Sequence, residues 1–354
     1  MSLSPVDSGA EAAPPAPTIQ RKSWPERLRR LAKWHERLPW LLPVSSFIAG
    51  WIGFVMVRRG ADWARLVAML ALLGWPWLLI EPVVRRLLEQ RRRRLGTFVV
   101  NYVSQSLQQE LLFFSLPFVI GATQSDIGQI AFAGFVGAAA LVSTIDPLYE
   151  RWIAKRAARR LLFHAYCSWI AALVVLPMVL LVPLEQALPM SLATVVVWLV
   201  LTFPLSWRSL RTWRARTAWL ASVIVVPIVV WELRAQVPAA GLAVTRARIT
   251  RSIEGLDPGA AVETIARSTL DQGVIAYAVI RAPAGLTQTV IFEWHHNRES
   301  EEIPEKIHGG SATGWRAYSR KVVFPADALG SWTVDLVTPQ GQLLKRLRFD
   351  IVDR

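Results

Sequence analysis

Cysteine is almost absent from the sequence: Cys167 is the single one among 354 residues, and it lies inside an apolar run. One cysteine excludes an intramolecular disulfide and any zinc site built from several cysteines. The sequence also lacks a Gly-x-Ser-x-Gly elbow, a phosphate-binding glycine loop and a His-Glu-x-x-His helix. These absences remove the signatures of several enzyme classes, so they favour a role other than catalysis without excluding an enzyme, and no cofactor is expected.

Acidic residues are scarce relative to basic ones, and the formal net charge is +14. Up to Val237 the chain has 26 Lys and Arg against 13 Asp and Glu, whereas from Pro238 onward it has 14 against 13. The basic excess is therefore interleaved with long apolar runs. This distribution is typical of membrane topology rather than of a nucleic-acid groove, so nucleic acid is not an expected partner.

The N-terminal residues divide into two segments before the first apolar run. Residues 1–20 are rich in Pro, Ala and Ser and contain no apolar core, so we expect a disordered tail rather than a signal peptide. Residues 21–39 are basic and amphipathic, with Trp24, Leu28 and Leu31 on one side. This pattern predicts either a helix lying on the cytoplasmic membrane surface or a helical extension of the first span.

Seven apolar segments long enough to cross a bilayer lie in a predicted membrane domain of residues 40–237. Lys and Arg cluster before the first, third, fifth and seventh segments, and few occur in the other loops. Because basic loops stay in the cytoplasm, we expect a cytoplasmic N-terminus, contact with the lipid bilayer and an extracytoplasmic C-terminal domain. The predicted spans are 40–57, 64–84, 97–122, 127–146, 161–183, 188–206 and 216–233.

From Ala243 onward the sequence shows the period-two alternation typical of β-strands. The segment RESEEIPEK (298–306) is interpreted as a charged loop, and TPQG (338–341) as a hairpin turn. Many short strands without a clear helix predict an all-β, immunoglobulin-like sandwich over residues 238–354. The predicted strands cover 274–280, 289–296, 314–324, 331–337 and 343–352.

Motifs within these strands resemble a known family. The segments IFEWHHN, GWRAYSRKVVF and GSWTVDLVTPQGQLLKRLRFDI make residues 243–352 similar to the bacterial domain of unknown function 2914. QQELLFFSLPF (108–118) resembles the multi-span region that often precedes that domain. The resemblance implies a bacterial inner-membrane protein with a periplasmic domain, and it implies no activity. The residues that carry it are Trp294, Trp315, Arg316, Ser319, Gly330, Trp332, Val334, Gly341, Phe349 and Val352.

The third predicted span carries a polar stripe, with Glu110 on the opposite side of the helix. Polar groups in hydrocarbon tend to face a bundle interior or an aqueous cavity. The stripe therefore indicates either hydrogen bonding between helices or a transport path with Glu110 as its titratable group. At about 100° per residue, the members of the stripe are Asn101, Ser104, Gln105, Gln108, Gln109 and Ser115.

VIFEWHHN (290–297) contains candidate metal ligands. Because successive side chains in a strand point to opposite faces, His295 and His296 cannot share one ion unless the strand ends or bulges between them. Glu293 and His295 share a face, with His308 as a possible third ligand. The alternative is a polar strand end without metal, which we prefer.

Three functions remain open from the sequence. The preferred one is display of the β-domain for binding or scaffolding an envelope protein or glycan. Its candidate surface is Glu293, His295, Arg316, Tyr318 and Ser319, although Tyr318 and Ser319 also fit ordinary packing of the sandwich with solvated polar tips. The second is a transporter or channel that uses the polar stripe, and the third is a metal-dependent envelope enzyme. Sandwich folds serve all three roles, so the fold does not choose among them.

Overall fold

A computed structural model describes residues 94–353, apart from 179, 208–211 and 312, together with scattered helical positions between Val44 and Leu88. The predicted tail (1–20), the amphipathic segment (21–39) and most of the first two predicted spans lie outside the described residues. The described chain is a helical region followed by a β-sheet-rich domain.

The helical region contains five long helices within its continuously described part. Among the described residues, three stretches are long and apolar enough to cross a membrane: Ile127–Thr144, Ala158–Met178 and Leu184–Pro204. The short helix α3 leads into a π-helical turn, Glu150–Ala154, and a 3-10 turn, Arg234–Gln236, follows the last helix. The helices are α1 (Arg94–Ala122), α2 (Ile127–Thr144), α3 (Asp146–Tyr149), α4 (Ala157–Met178), α5 (Leu184–Ser206) and α6 (Trp213–Glu232).

Local sequence signals explain where α2 begins and ends. The Asp126 carboxylate accepts hydrogen bonds from the N–H groups of Gly128 and Gln129, at 2.9 and 3.2 Å, and so caps the helix. After α2 ends, Pro147 occupies the first turn of α3, a position that tolerates proline because its N–H would have no partner there. The chain therefore turns sharply between the two helices.

The β-domain consists of a three-stranded sheet in the order β1-β5-β8, a five-stranded sheet in the order β4-β10-β9-β6-β7, and the two-stranded hairpin β2-β3. Neighbouring strands are antiparallel except for β4 and β10, which are parallel. The strands are β1 (Ala243–Thr250), β2 (Ile253–Glu254), β3 (Asp257–Pro258), β4 (Thr264–Ala266), β5 (Val274–Arg281), β6 (Thr287–His296), β7 (Glu299–His308), β8 (Trp315–Lys321), β9 (Gly330–Val337) and β10 (Leu343–Val352).

The five strands predicted from the sequence are confirmed, and so is the turn before the last one. Gly341 donates to the carbonyl of Thr338 at 2.8 Å and has φ of +80°, a conformation that favours glycine. Side chains of both sheets form one core, because every second residue of each strand points inward. Its largest fully buried members are Trp294, Phe292, Phe349 and Ile265.

The interpretation of residues 298–306 as a charged loop is wrong. Most of this segment belongs to β7, which pairs with β6 from His296↔Glu299 to Thr287↔His308. β7 lies at the edge of the five-stranded sheet, so its glutamates face solvent and Pro304 can be accommodated. Charge along an edge strand hides the alternation by which a half-buried strand is recognised.

Buried glutamine side chains join the β-domain to the ends of the helices. Gln288 accepts a hydrogen bond at 2.9 Å from the N–H of Leu184, the first residue of α5. Gln129 donates to the carbonyl oxygens of Leu343 and Ala235, at 2.6 and 3.1 Å. Leu184 also belongs to the core of the β-domain. The β-domain therefore packs directly against the helix ends that carry these contacts.

Candidate functional site

A cluster of charged side chains is buried among the helices. The Arg85 Nε donates to Glu81 Oε1 at 2.6 Å, and these residues are 5% and 0% exposed. The Arg160 Nε lies 3.6 Å from the same carboxylate oxygen, and the His164 Nε2 lies 3.5 Å from the other one. We call Glu81, Arg85, Arg160 and His164 the buried charge cluster.

Hydrogen bonds extend this cluster to α1 and α3. The Gln108 amide donates to His164 Nδ1, and its oxygen accepts a 2.8 Å hydrogen bond from the Tyr149 hydroxyl. Since Nδ1 accepts, the neutral imidazole carries its proton on Nε2, which faces Glu81. The result is a continuous chain of polar groups from Tyr149 through Gln108 and His164 to the Glu81 carboxylate.

The cluster retains unused hydrogen-bonding capacity. Arg85 Nη2 is buried and lacks a hydrogen-bond partner among the described residues, and Glu81 Oε2 and His164 Nε2 face each other at 3.5 Å, a longer separation than that of a usual hydrogen bond. Buried ions separated from a partner are costly, so such groups are held together or take up a proton or small ion. Chemically, the arrangement can hold a carboxylate in an environment dominated by cations and relay a proton between Glu81 and His164.

The cluster lies far from the β-domain. His164 is 14 residues before Met178 at the C-terminal end of α4, which corresponds to roughly 21 Å along a helix. The connection from α4 to α5 contacts the β-domain, because Leu181 approaches Gly285 and Leu184 bonds to Gln288. The cluster therefore sits toward the opposite end of the helical region.

The structure places the polar stripe of α1 against neighbouring helices. Ser104, Gln108 and Gln109 are buried, as is Ser115, whereas Glu110 is exposed on the opposite side. Asn101 and Gln105 are half-buried, and the Gln105 amide donates to Asp146 Oδ1 at 2.7 Å and to the carbonyl of Ser143 at 3.0 Å. Only Gln108 of the stripe contacts the buried charge cluster through a hydrogen bond among the described residues.

The polar stripe predicted from the sequence does not include the charged members of this cluster. Two signals could have found them. Glu81 and Arg85 are four residues apart at the end of the second predicted span, a spacing that places them on one helix face. His164 lies inside the fifth predicted span, where an ionisable residue marks a functional hypothesis.

In the β-domain, Glu293 and His295 lie together on the outer face of β6. Their Oε2 and Nε2 atoms are 3.4 Å apart, and Asp335 Oδ2 lies 4.0 Å from the same nitrogen. Arg346 binds both oxygens of Asp335, at 2.7 and 2.6 Å, and this hydrogen bonding raises the pKa of Arg346. Partial burial raises the pKa of Glu293, and His295 opposes that change.

His308 does not join Glu293 and His295. In the β6–β7 register His308 lies opposite Thr287, whereas His295 lies opposite Ser300. These positions are eight residues apart, or roughly 26 Å along a strand. The His308 ring instead packs edge-on against Trp315. No group of three His, Cys, Asp or Glu side chains suited to a metal ion occurs among the described residues.

The remaining candidates on the β-domain surface divide between the two faces of β8. The Ser319 hydroxyl accepts a 3.0 Å hydrogen bond from the Trp294 indole and is buried in the core. Arg316 and Tyr318 point to the other face, and Tyr318 is 51% exposed. His296 also points inward, with its ring stacked 4.4 Å from that of Trp332.

Comparisons with known proteins identify two families. Residues 287–351 match a family described as "Protein of unknown function (DUF2914)", which agrees with the resemblance noted in the sequence. Residues 21–276 match a family described as "Family of unknown function (DUF5924)". No match was found among curated proteins or among solved structures. Because the second match covers more than half of the chain, this protein belongs to the family of unknown function DUF5924.

Proposed function

We propose that this protein crosses a bacterial inner membrane seven times and holds an immunoglobulin-like sandwich in the periplasm as a binding platform for an envelope component. The proposal rests on the way the β-domain is attached. Gln288 and Gln129 bond it to helix ends through buried contacts, which fix its orientation. A domain that only needed a tether would not require such contacts, whereas a platform must present one surface in a constant direction.

Exposed apolar side chains on the helices support the membrane part of the proposal. Phe135 on α2 and Ile224 on α6 are each 64% exposed, and Ile130 is 54% exposed. Large apolar patches open to water are unfavourable, so a lipid phase is the environment that would cover these residues. In the proposed topology the helix ends bonded to the β-domain lie on the periplasmic side.

The platform is tested by site-specific photo-crosslinking of the full-length protein in intact cells. A photoreactive amino acid replaces Val323, which is 76% exposed just beyond β8. The matched control replaces Arg348, which is exposed on the five-stranded sheet. We expect a defined envelope component to be captured from Val323 and not from Arg348.

A folded protein that gives no product at Val323 or at other exposed positions of the β-domain would contradict the platform. Folding is checked for each variant by size-exclusion chromatography and thermal unfolding in detergent. This check separates lack of a partner from loss of structure.

The buried charge cluster favours transport as a second candidate function. Glu81 and His164 face each other inside the helical region, which is the arrangement expected of a proton relay. In this proposal Glu81, rather than the exposed Glu110, is the titratable group of the path.

Proton flux into proteoliposomes, followed with a pH-sensitive dye under an imposed membrane potential, tests transport. Glu81→Gln is expected to abolish the flux, and Glu110→Gln is expected to leave it unchanged. Wild-type protein that moves no protons, or equal flux through both variants, would remove this candidate. His164→Gln is a second variant for the same purpose if Glu81→Gln does not fold.

A further inference from the structure

The outer face of the three-stranded sheet is lined with arginines. Core residues of β5 alternate with Ile275, Tyr277 and Val279, which face away from the core. The registers set Arg246 and Arg316 on either side of Val279, and Arg248 and Tyr318 on either side of Tyr277. Arg320 lies beside Ile275. We call Arg246, Arg248, Arg316, Tyr318 and Arg320 the basic face.

Most of these arginines have weak or partial pairing. Arg246 Nη1 lies 3.9 Å from Asp257 Oδ1, and both side chains are largely exposed. Arg248 and Arg320 each donate to a backbone carbonyl, of Gly259 and Gln272 respectively. Because a guanidinium has five N–H donors, each of these arginines keeps donors free for an external anion.

The β2–β3 hairpin covers the middle of this face and leaves β8 open. The Tyr277 hydroxyl donates to the carbonyl of Leu256 in the hairpin, and Tyr277 is 1% exposed. Tyr318 and Arg320, by contrast, are exposed, and Arg316 is half-buried. β8 is the last strand of its sheet, and β7 packs along its other side through the contacts His308–Trp315 and Glu301–Lys321, so a ligand reaches β8 from the outer face.

Along β8 the order is arginine, tyrosine, arginine on one face. Arg316 and Arg320 are four residues apart, or roughly 13 Å, with the Tyr318 ring midway between them. An aromatic ring packs against the apolar face of a sugar, and guanidinium groups bind carboxylate or phosphate in pairs of hydrogen bonds. The spacing suits a chain of sugars that carries an acid group on either side of the stacked unit.

The orientation of β8 relative to the helix ends favours an extended glycan over a lipid headgroup as the ligand. β5 ends at Arg281, next to the loop where Gly285 approaches Leu181 at the helix ends. The pair Val279–Arg316 is therefore near the helices, and the pair Ile275–Arg320 is farther out. A bilayer surface at the helix ends would meet Arg316 first, whereas an extended polymer meets all three side chains.

We propose that Arg316, Tyr318 and Arg320 bind an acidic glycan of the envelope, with one sugar on the tyrosine ring and acid groups on the two guanidiniums. The inference rests on the proposed platform function and names the chemistry of its partner. Of the exposed glutamates on the neighbouring β7, Glu301 is paired with Lys321 at the end of β8.

The test uses full-length protein in nanodiscs of zwitterionic lipid and fluorescence anisotropy. The probe is a labelled oligogalacturonate of defined length, and the neutral control is a maltooligosaccharide of the same length. We expect the acidic probe to bind and the neutral one not to bind. Affinity should fall as salt is added, because exposed charge pairs are screened.

Variants of β8 locate the site. Arg316→Gln combined with Arg320→Gln is expected to weaken binding about tenfold or more, since two charge-assisted contacts are lost. Tyr318→Ala is expected to weaken it about threefold to tenfold. The matched control, Arg348→Gln, removes the same charge from the five-stranded sheet and should leave affinity unchanged.

Several outcomes would overturn the assignment. Absence of binding, or equal losses for the β8 variants and Arg348→Gln, excludes an acidic-glycan site on β8. If the β8 variants lose attachment only to vesicles containing anionic lipid, the face binds the bilayer instead. Photo-crosslinking from Val323 distinguishes failure of the glycan site from failure of the binding platform. A captured envelope protein unaffected by the β8 variants preserves the platform while refuting the glycan.

Discussion

The helical region buries Glu81, Arg85 and His164 against one another, whereas the β-domain places Arg246, Arg316 and Arg320 at its surface. In the first region each charge depends on its neighbours, because no water replaces a lost partner. In the second region the guanidiniums are solvated and depend little on one another. Similar residue types therefore serve the fold in one region and remain available to a ligand in the other.

The largest expected effect comes from breaking the buried charge cluster. Glu81→Ala leaves Arg85 and Arg160 beside each other without a carboxylate. We expect the loss of about 3–5 kcal/mol of stability, because an uncompensated charge stays buried. Thermal unfolding of the full-length protein in detergent measures it. Glu110→Ala is the control, since Glu110 is exposed and should change the midpoint little. Equal midpoints for both variants would show that the cluster is not a stabilising unit.

A second, smaller effect is expected where the two regions meet. Gln288→Ala removes the acceptor for the N–H of Leu184, and the residue before α5, Pro183, supplies no capping side chain. An unsatisfied buried donor costs about 1–3 kcal/mol. Hydrogen exchange should accelerate at the start of α5 and at β6. Gln186→Ala, an exposed change in the same helical turn, is the control. Exchange that stays slow in Gln288→Ala would mean that other contacts hold the domain.

The partly buried ion pair Arg346–Asp335 of the five-stranded sheet should matter less than either fully buried contact. Arg346→Gln removes the guanidinium from Asp335, whose side chain is 9% exposed, while that of Arg346 is 42% exposed. We expect a loss of about 1 kcal/mol, as for other partly solvated pairs. The lowering of the unfolding midpoint should diminish at high salt. A loss of stability as large as that of Glu81→Ala would contradict the expected difference between the helical region and the β-domain.

The smallest effect concerns the pH dependence that Glu293 contributes. Burial raises its pKa above the usual 4.5, so the folded state keeps this proton to a higher pH than the unfolded state. Between those two pKa values the folded state binds more protons, and stability falls as pH rises. Glu293→Gln should therefore gain in unfolding midpoint relative to wild type as pH rises above about 4.5. A constant difference from acid to neutral pH would contradict the raised pKa.

Much of the architecture could be predicted because it depends on local periodicity. The apolar runs that became α2 and α4 and the alternation in β6, β9 and β10 are visible in any short window of sequence. Alternation did not predict β7 as a strand, because its charged residues face solvent at a sheet edge. The start of α5 at Leu184, four residues before the predicted span, likewise depends on Gln288, a residue from the β-domain.

The candidate sites also divide into features that local sequence predicts and features that depend on contacts between distant segments. Charge, apolar length and alternation, all carried by the sequence itself, determined a helical region followed by a β-sheet-rich domain, and they placed Arg316 and Tyr318 together on a strand. Only the tertiary structure decided that Glu81, Gln108, Tyr149 and His164 meet, since they come from segments far apart in the chain. It also decided that Arg246 and Arg316 share a face, because strand register brings them to either side of Val279. Periodicity acts within a segment, whereas burial and hydrogen bonding act between segments, and no pattern within either segment specifies its partner.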